Sequence, residues 1–293
     1  MTHAPAVTGW RHRARGFLAR ALCLLAVASL CAHANASVDL KFGVYTSDKP
    51  TVMVKKFRPM LRALERRLSE ILVTPVRIRI DVARDYNTGL ERLIRGDVDF
   101  SRFGPASYIA ARTRDSRVNV LAMESRHGGR TFYGVICVRA DSPIKSIAEL
   151  RGQRFAFGNK RSTIGRYLAQ SLLIENQIYA RDLKQIAYLG RHDKVAQAVA
   201  TAQFDAGAVK ENSYRKAVSN GAQLRVLARF ENVTKPWVAA GHVETRVRQA
   251  LREALLGFDE KGPLQKLKVD GFVSGNDEHY APIRAAIEQA QAF

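Results

Sequence analysis

Apolar residues in this chain switch repeatedly between a spacing of two and a spacing of three to four, and that alternation restricts the fold most. Leu40, Phe42 and Val44 lie on one side of the run Asp39–Tyr45, as in a half-buried strand. Phe57, Met60, Leu61, Leu64, Leu68 and Leu72 follow at helical spacing. The pattern then recurs: a strand over Pro75–Ile80, a helix from Asp85-Tyr86-Asn87, a turn and short strand at Gly96–Phe100, and a helix opening at Phe103–Tyr108. Val118–Met123 and Thr131–Val138 read as strands, as do Ile186–Leu189, Phe204–Val209 and Leu224–Phe230. Helices follow several of them, and two more close the chain, through Val243–Leu255 and from Tyr280 onward. Strand and helix in alternation imply an α/β fold with mostly parallel sheets, in two sets over roughly 38–135 and 138–228. The ligand of such sheets sits beyond the carboxyl ends of the strands.

One such end stands out. Phe155-Ala-Phe157 is strand-like, Gly158-Asn159 is a turn, and Ile164, Leu168 and Leu172 then mark a helical face. Ser162 or Thr163 caps that helix, with Lys160 and Arg161 just before it. A helix start carries unpaired N–H groups and partial positive charge, so hydroxyls placed there suit a small oxyanion; an ordinary capped helix is the alternative. Tyr45-Thr-Ser47, Phe103-Gly104, Gly190-Arg-His192 and Lys210 end other strands. Their division between two sets points to a cleft between two lobes.

The net charge is +20, and removing the four arginines before residue 36 leaves +16. The charge is spread along the chain with no zinc-finger spacing, RNA-binding aromatic motif or basic heptad helix, so it reads as an anion-attracting field and not as a nucleic-acid footprint. Arg11–Arg20, the apolar Ala21–Cys31 and Ala34-Asn-Ala36 form a secretion signal over residues 1–36, with cleavage before Ser37; Cys31, preceded by Leu30, makes a poor lipobox. Cys137, in an apolar run, reads as a buried strand residue. No cluster of histidine, cysteine and carboxylate has metal-ligand spacing, so neither metal nor organic cofactor is expected.

The ordered set Tyr45-Thr-Ser-Asp48, Ala83-Arg-Asp-Tyr86, Gly96-Asp-Val-Asp-Phe100, Phe103-Gly-Pro-Ala-Ser-Tyr108, Asp141-Ser-Pro-Ile144, Phe157–Tyr167, Gly190-Arg-His-Asp193 and Phe204-Asp-Ala-Gly-Ala208 resembles the phosphate, phosphite and phosphonate-binding periplasmic proteins of ABC transporters. The resemblance covers nearly all of residues 39–260. It implies a type II periplasmic-binding-protein fold: lobe 1 over 37–136 and 229–293, lobe 2 over 137–228, and a two-stranded hinge. The implied partners are a small phosphorus oxyanion and an inner-membrane permease, for a periplasmic monomer that is not an enzyme. Carried over residue by residue, the resemblance places Ser162 and Thr163 on the phosphoryl oxygens and His192 as a cleft donor. Tyr45 and Tyr86 close over the ligand, with Thr46, Ser47 and Gly104 beside them, and Asp205 is near the cleft. Ile164 stands where relatives often carry a third hydroxyl, and Phe57 where they often carry tryptophan. Lys210 is an extra cation that could favour a more highly charged ligand. Two other outputs stay open: a ligand sensor docking on a receptor kinase, and a secreted hydrolase using Ser162, His192 and Asp205, although no nucleophile-elbow motif is present.

Overall fold

In the computed structural model, which describes residues 1–3, 37–46 and 50–293, two mixed sheets are each covered by helices. Residues 4–36 of the expected signal segment, and Ser47, lie outside the described residues. In the first sheet, β1 (Val38–Tyr45) pairs in parallel with β2 (Val76–Ala83), from Val38↔Val76 to Tyr45↔Ala83. Between them α1 (Pro50–Leu72) lays Phe57, Met60, Leu64 and Leu68 on the sheet, all fully buried. That single apolar face is what its spacing encodes. Next, α2 (Tyr86–Arg95) opens on Asp85, whose carboxylate accepts from Thr88 N–H at 2.8 Å, and closes on Gly96 at φ 78°, a left-handed conformation that glycine adopts without strain. β3 (Phe100–Arg102), α3 (Pro105–Arg114, with proline at its first position) and β4 (Asn119–Ser125) follow.

Two strands of this sheet carry little sequence signal. β10 (Pro236–Ala239) inserts antiparallel between β3 and β4, and β11 (Gly271–Val273) pairs antiparallel with β4. The expectation of mostly parallel sheets is therefore corrected to mixed ones. A four-residue strand opening on proline shows no periodicity; its place is decided by Trp237, fully buried and stacked on Phe42 with ring centroids 5.0 Å apart.

The second sheet has the order β7-β6-β8-β5-β9. Its strands are β5 (Thr131–Arg139), β6 (Arg154–Phe157), β7 (Gln185–Tyr188), β8 (Ala206–Lys210) and β9 (Leu224–Val233). β6 runs parallel to β7 and β8, while β5 is antiparallel to β8 and β9. Its helices are α4 (Ala169–Glu175), α5 (His192–Ala200) and α6 (Glu211–Ser219). Gly207 lets α5 close on β8, since a Cβ there would lie 2.6 Å from a Val195 methyl. Cys137 is fully buried in β5, and burial pushes its thiol up to about 12.

The chain changes sheets twice, at 126–130 and at 234–235, where Thr234 N–H donates to Arg130 O at 2.7 Å. The sequence reading put these changes at 136/137 and 228/229. Because β5 and β9 pair along their whole length, from Thr131↔Val233 to Arg139↔Leu224, both strands sit entirely in the second sheet. After α7 (Thr245–Leu256) and α8 (Lys261–Leu267), α9 (Ala281–Gln289) leaves the first sheet's core. The chain ends against the second sheet, with the Phe293 ring 5.5 Å from Phe157.

Candidate functional site

The strand ends singled out by sequence meet where the two sheets face each other. Ser162 precedes a π-helical turn (Thr163–Leu168) that runs on into α4, and its hydroxyl accepts from Gly165 N–H at 2.9 Å. The wide turn was not readable from the sequence. It rests on the glycine pair Gly158 and Gly165: Gly158 N–H donates to Gly165 O at 2.7 Å, and a Cβ on Gly165 would lie 2.9 Å from Gly158 Cα. Ser162 and Thr163 are 3 % and 5 % exposed, so neither is a surface cap.

Across from them stands the start of α3. Ala106 N–H, an otherwise unpaired amide of that first turn, donates to Thr163 Oγ1 at 3.0 Å. Two helix starts thus point at the same spot, one from each sheet. Tyr45 braces the first: its hydroxyl accepts from Gly104 N–H at 2.7 Å and donates to Ser107 Oγ at 3.0 Å. Burial raises the phenol's pKa, with the Ser107 and Gly104 bonds and the Arg102 charge opposing, so it stays protonated. Tyr86 stacks on Tyr45 at 4.0 Å. At Gly104 a side chain would approach both Tyr45 Oη, at 3.1 Å, and Thr163 Oγ1, at 3.6 Å.

His192, 2 % exposed at the start of α5, turns Nδ1 toward Lys210 N–H at 3.4 Å. Its ring edge lies near Gly158, where a Cβ would sit 3.7 Å from Cε1. Thr46 is buried, but its hydroxyl donates to Arg84 O and so ties the end of β1 to the residue that follows β2. Ile164 is also buried; its methyl faces Gly134 on β5, so the side chain packs against the second sheet. Outside these helix starts, Arg161 reaches Asn87 of α2, and a cavity of 540 Å³ is lined by Asn159, Lys160, Tyr167, Tyr188 and Gly190.

Asp205 does not join this group. It precedes β8, where its carboxylate holds Arg154 through Nε at 3.0 Å, Nη2 at 2.6 Å and the backbone N–H at 2.8 Å. That is the amino end of β8, five residues or roughly 16 Å along the strand from Lys210. The Arg154 bonds lower its pKa, burial opposing. Asp205 therefore cannot orient His192, and Ser162, His192 and Asp205 form no catalytic triad.

The sequence reading missed a charged group beside Gly104. Arg102, the last residue of β3, donates to Glu124 at 2.7 and 2.9 Å; the two side chains are 5 % and 0 % exposed. Burial raises the Glu124 pKa, but the charge and hydrogen bonds of Arg102, with Arg126 and Lys235 beyond, override it and hold the carboxyl at about 2. Lys56, from the early turns of α1, is brought down to about 7, first by desolvation and then by the Arg102 charge. The one signal available was a glutamate closing the apolar run Val118–Met123, since a carboxylate so placed needs a buried cation.

A family model described as the phosphonate-binding periplasmic substrate-binding protein of ABC transporters matches residues 42–280. A probable ABC transporter phosphite binding protein of Prochlorococcus marinus is 27 % identical over 274 residues, covering 87 % of this chain and 89 % of the relative. A phosphate-import protein of Mycolicibacterium smegmatis is 23 % identical over 236 residues, covering 75 % and 71 %. Among solved structures, the Prochlorococcus marinus protein in complex with methylphosphonate superposes with a TM-score of 0.75 at 23 % identity, over 87 % of this chain and 99 % of that one. At that identity the superposition shows the shared fold.

Proposed function

The chain belongs to the family of phosphonate-binding periplasmic substrate-binding proteins of ABC transporters, and from that premise we propose that it captures a small phosphorus oxyanion (a phosphonate, phosphite or phosphate) between its two sheets. One observation carries the reading: the Ala106 N–H of one helix start meets the Thr163 hydroxyl of the other at 3.0 Å. A tetrahedral anion entering there meets amides with the positive ends of two helices behind them. Ser162 and Thr163 keep accepting N–H bonds and turn their own hydrogens to the anion. His192 supplies a further donor from the carboxyl end of the second sheet. Tyr45 and Tyr86 wall the first lobe's side.

The two crossings at 126–130 and 234–235 make the natural hinge, with lobe 1 holding the first sheet and lobe 2 the second. Closure joins Thr163 to Ala106 and Arg161 to Asn87. The closed monomer would then hand its ligand to a membrane permease after export directed by residues 1–36. The test is calorimetric titration of the chain starting at Ser37 with phosphate, phosphite, methylphosphonate, aminoethylphosphonate and sulfate. Saturable binding of at least one phosphorus oxyanion, tighter than sulfate, is expected. Failure of every phosphorus anion to bind, or preference for sulfate, refutes the proposal.

A further inference from the structure

We propose that the preferred ligand bears a second anionic group, a carboxylate or a second phosphoryl group, which binds the cations beside the first lobe's helix start. The inference rests on the phosphorus-oxyanion reading above and specifies its substrate class.

Four cations surround two aromatic rings here. Lys56 Nζ and Arg102 Cζ lie 6.0 and 5.5 Å from the Phe57 ring, and Lys235 Nζ and Arg126 Cζ lie 5.8 and 5.3 Å from the Phe132 ring. Glu124 is the carboxylate they share among the described residues; it is bound by Arg102, with Arg126 at 3.7 Å. Asp270 acts on Arg126 in addition. Neither lysine forms an ion pair among the described residues, and Arg126 Nε is a buried donor with no acceptor. The hydroxyl of Thr234, fully buried next to Lys235, has no partner either.

The chain path puts this cluster at the cleft. Arg102 runs straight into Phe103-Gly104, and Gly104 N–H is held by Tyr45. Trp237 pairs with Arg102 in the sheet, so Lys235 sits where the chain crosses between sheets. From the opposite sheet, Lys210, whose backbone faces His192, repels both Lys56 and Lys235. Both lysine residues are half-buried, yet desolvation is the main cause of their lowered pKa values. Cations crowded around one shared carboxylate repel each other, and an arriving anion relieves that repulsion while accepting the orphaned donors.

The experiment titrates the chain starting at Ser37, at pH 7 and low salt, with methylphosphonate, hydroxyethylphosphonate, aminoethylphosphonate, phosphonoacetate and pyrophosphate. Phosphonoacetate and pyrophosphate are expected to bind at least about tenfold tighter than methylphosphonate, the scale of one charge-assisted hydrogen bond. Aminoethylphosphonate, bringing an ammonium among these cations, should bind more weakly than the neutral hydroxyethylphosphonate. Lys235→Met and Lys56→Met, which keep an aliphatic stem over the rings, should weaken phosphonoacetate more than methylphosphonate; Lys56→Gln serves if a methionine variant unfolds. Equal affinity for phosphonoacetate and hydroxyethylphosphonate overturns this inference while leaving the oxyanion site intact. A preference for phosphonoacetate that survives in every lysine variant overturns its assignment to this cluster. Binding of none of the five overturns the oxyanion reading, and this inference with it.

Discussion

Replacing Ser162 and Thr163 together by alanine removes the Thr163 hydroxyl that meets the Ala106 amide and the Ser162 hydroxyl that caps Gly165 N–H, without altering the main-chain atoms. Each hydroxyl bonded to an anion contributes about 1.5–3 kcal/mol. The two are neighbours, so their losses do not add fully. A combined loss of about 2–4 kcal/mol is expected, or roughly 30- to 1,000-fold in Kd at about 1.4 kcal/mol per tenfold. The fold should survive. Losing the Ser162 cap on Gly165 N–H costs about 1 kcal/mol, and an unmatched Ala106 N–H costs about 1–3 kcal/mol at most, against a total stability of about 5–15 kcal/mol. Calorimetric titration with the best phosphorus anion measures the first number, and a thermal melt without ligand shows the variant to be folded. The ligand-induced rise in Tm should shrink in parallel. A folded double variant with wild-type Kd refutes the placement of the anion at this helix start.

Glu124→Gln leaves Arg102 buried without a counter-charge and should cost about 3–5 kcal/mol in denaturant unfolding; a loss below about 1 kcal/mol would mean that water reaches the pair. Lys56, with its pKa near 7, is charged below that pH and loses its proton above it, so the part of anion affinity it supplies is full in acid and fades as pH rises through 7. The ratio of wild-type to Lys56→Met affinity for phosphonoacetate should therefore fall between pH 6 and 8, and a ratio that rises there contradicts the assignment; the ligand's own ionisation cancels in this comparison. In Gly134→Ala the new methyl would sit 2.4 Å from the Phe230 ring and 2.7 Å from Ile164 Cγ2. Overpacking of this kind costs about 1–3 kcal/mol, and because Ile164 adjoins Thr163, anion affinity should drop along with Tm; a wild-type Kd would show that the turn is insulated from β5.

Periodicity, caps and turn residues lie within a few positions of one another, so the sequence by itself determined most elements and their order. The apolar face of α1, the Asp85 cap, the Gly96 stop and the Ser162 cap are all local and all stand in the structure where the residues put them. The helix start proposed here as the anion site was legible, as a capped helix start, for the same reason. What joins distant segments was decided only in three dimensions. β10 has four residues and no alternation, and it becomes a central strand because Trp237 fills the space beside Phe42. Asp205 reads as a cleft acid until the parallel register of β6 and β8 sets it beside Arg154, at the wrong end of the strand. Arg102 and Glu124 are 22 positions apart on strands separated by β10, and the lysines around them come from α1 and from the second crossing. Charge interactions act through space with no sequence period, so a cation cluster of this kind becomes visible only when packing brings its members together.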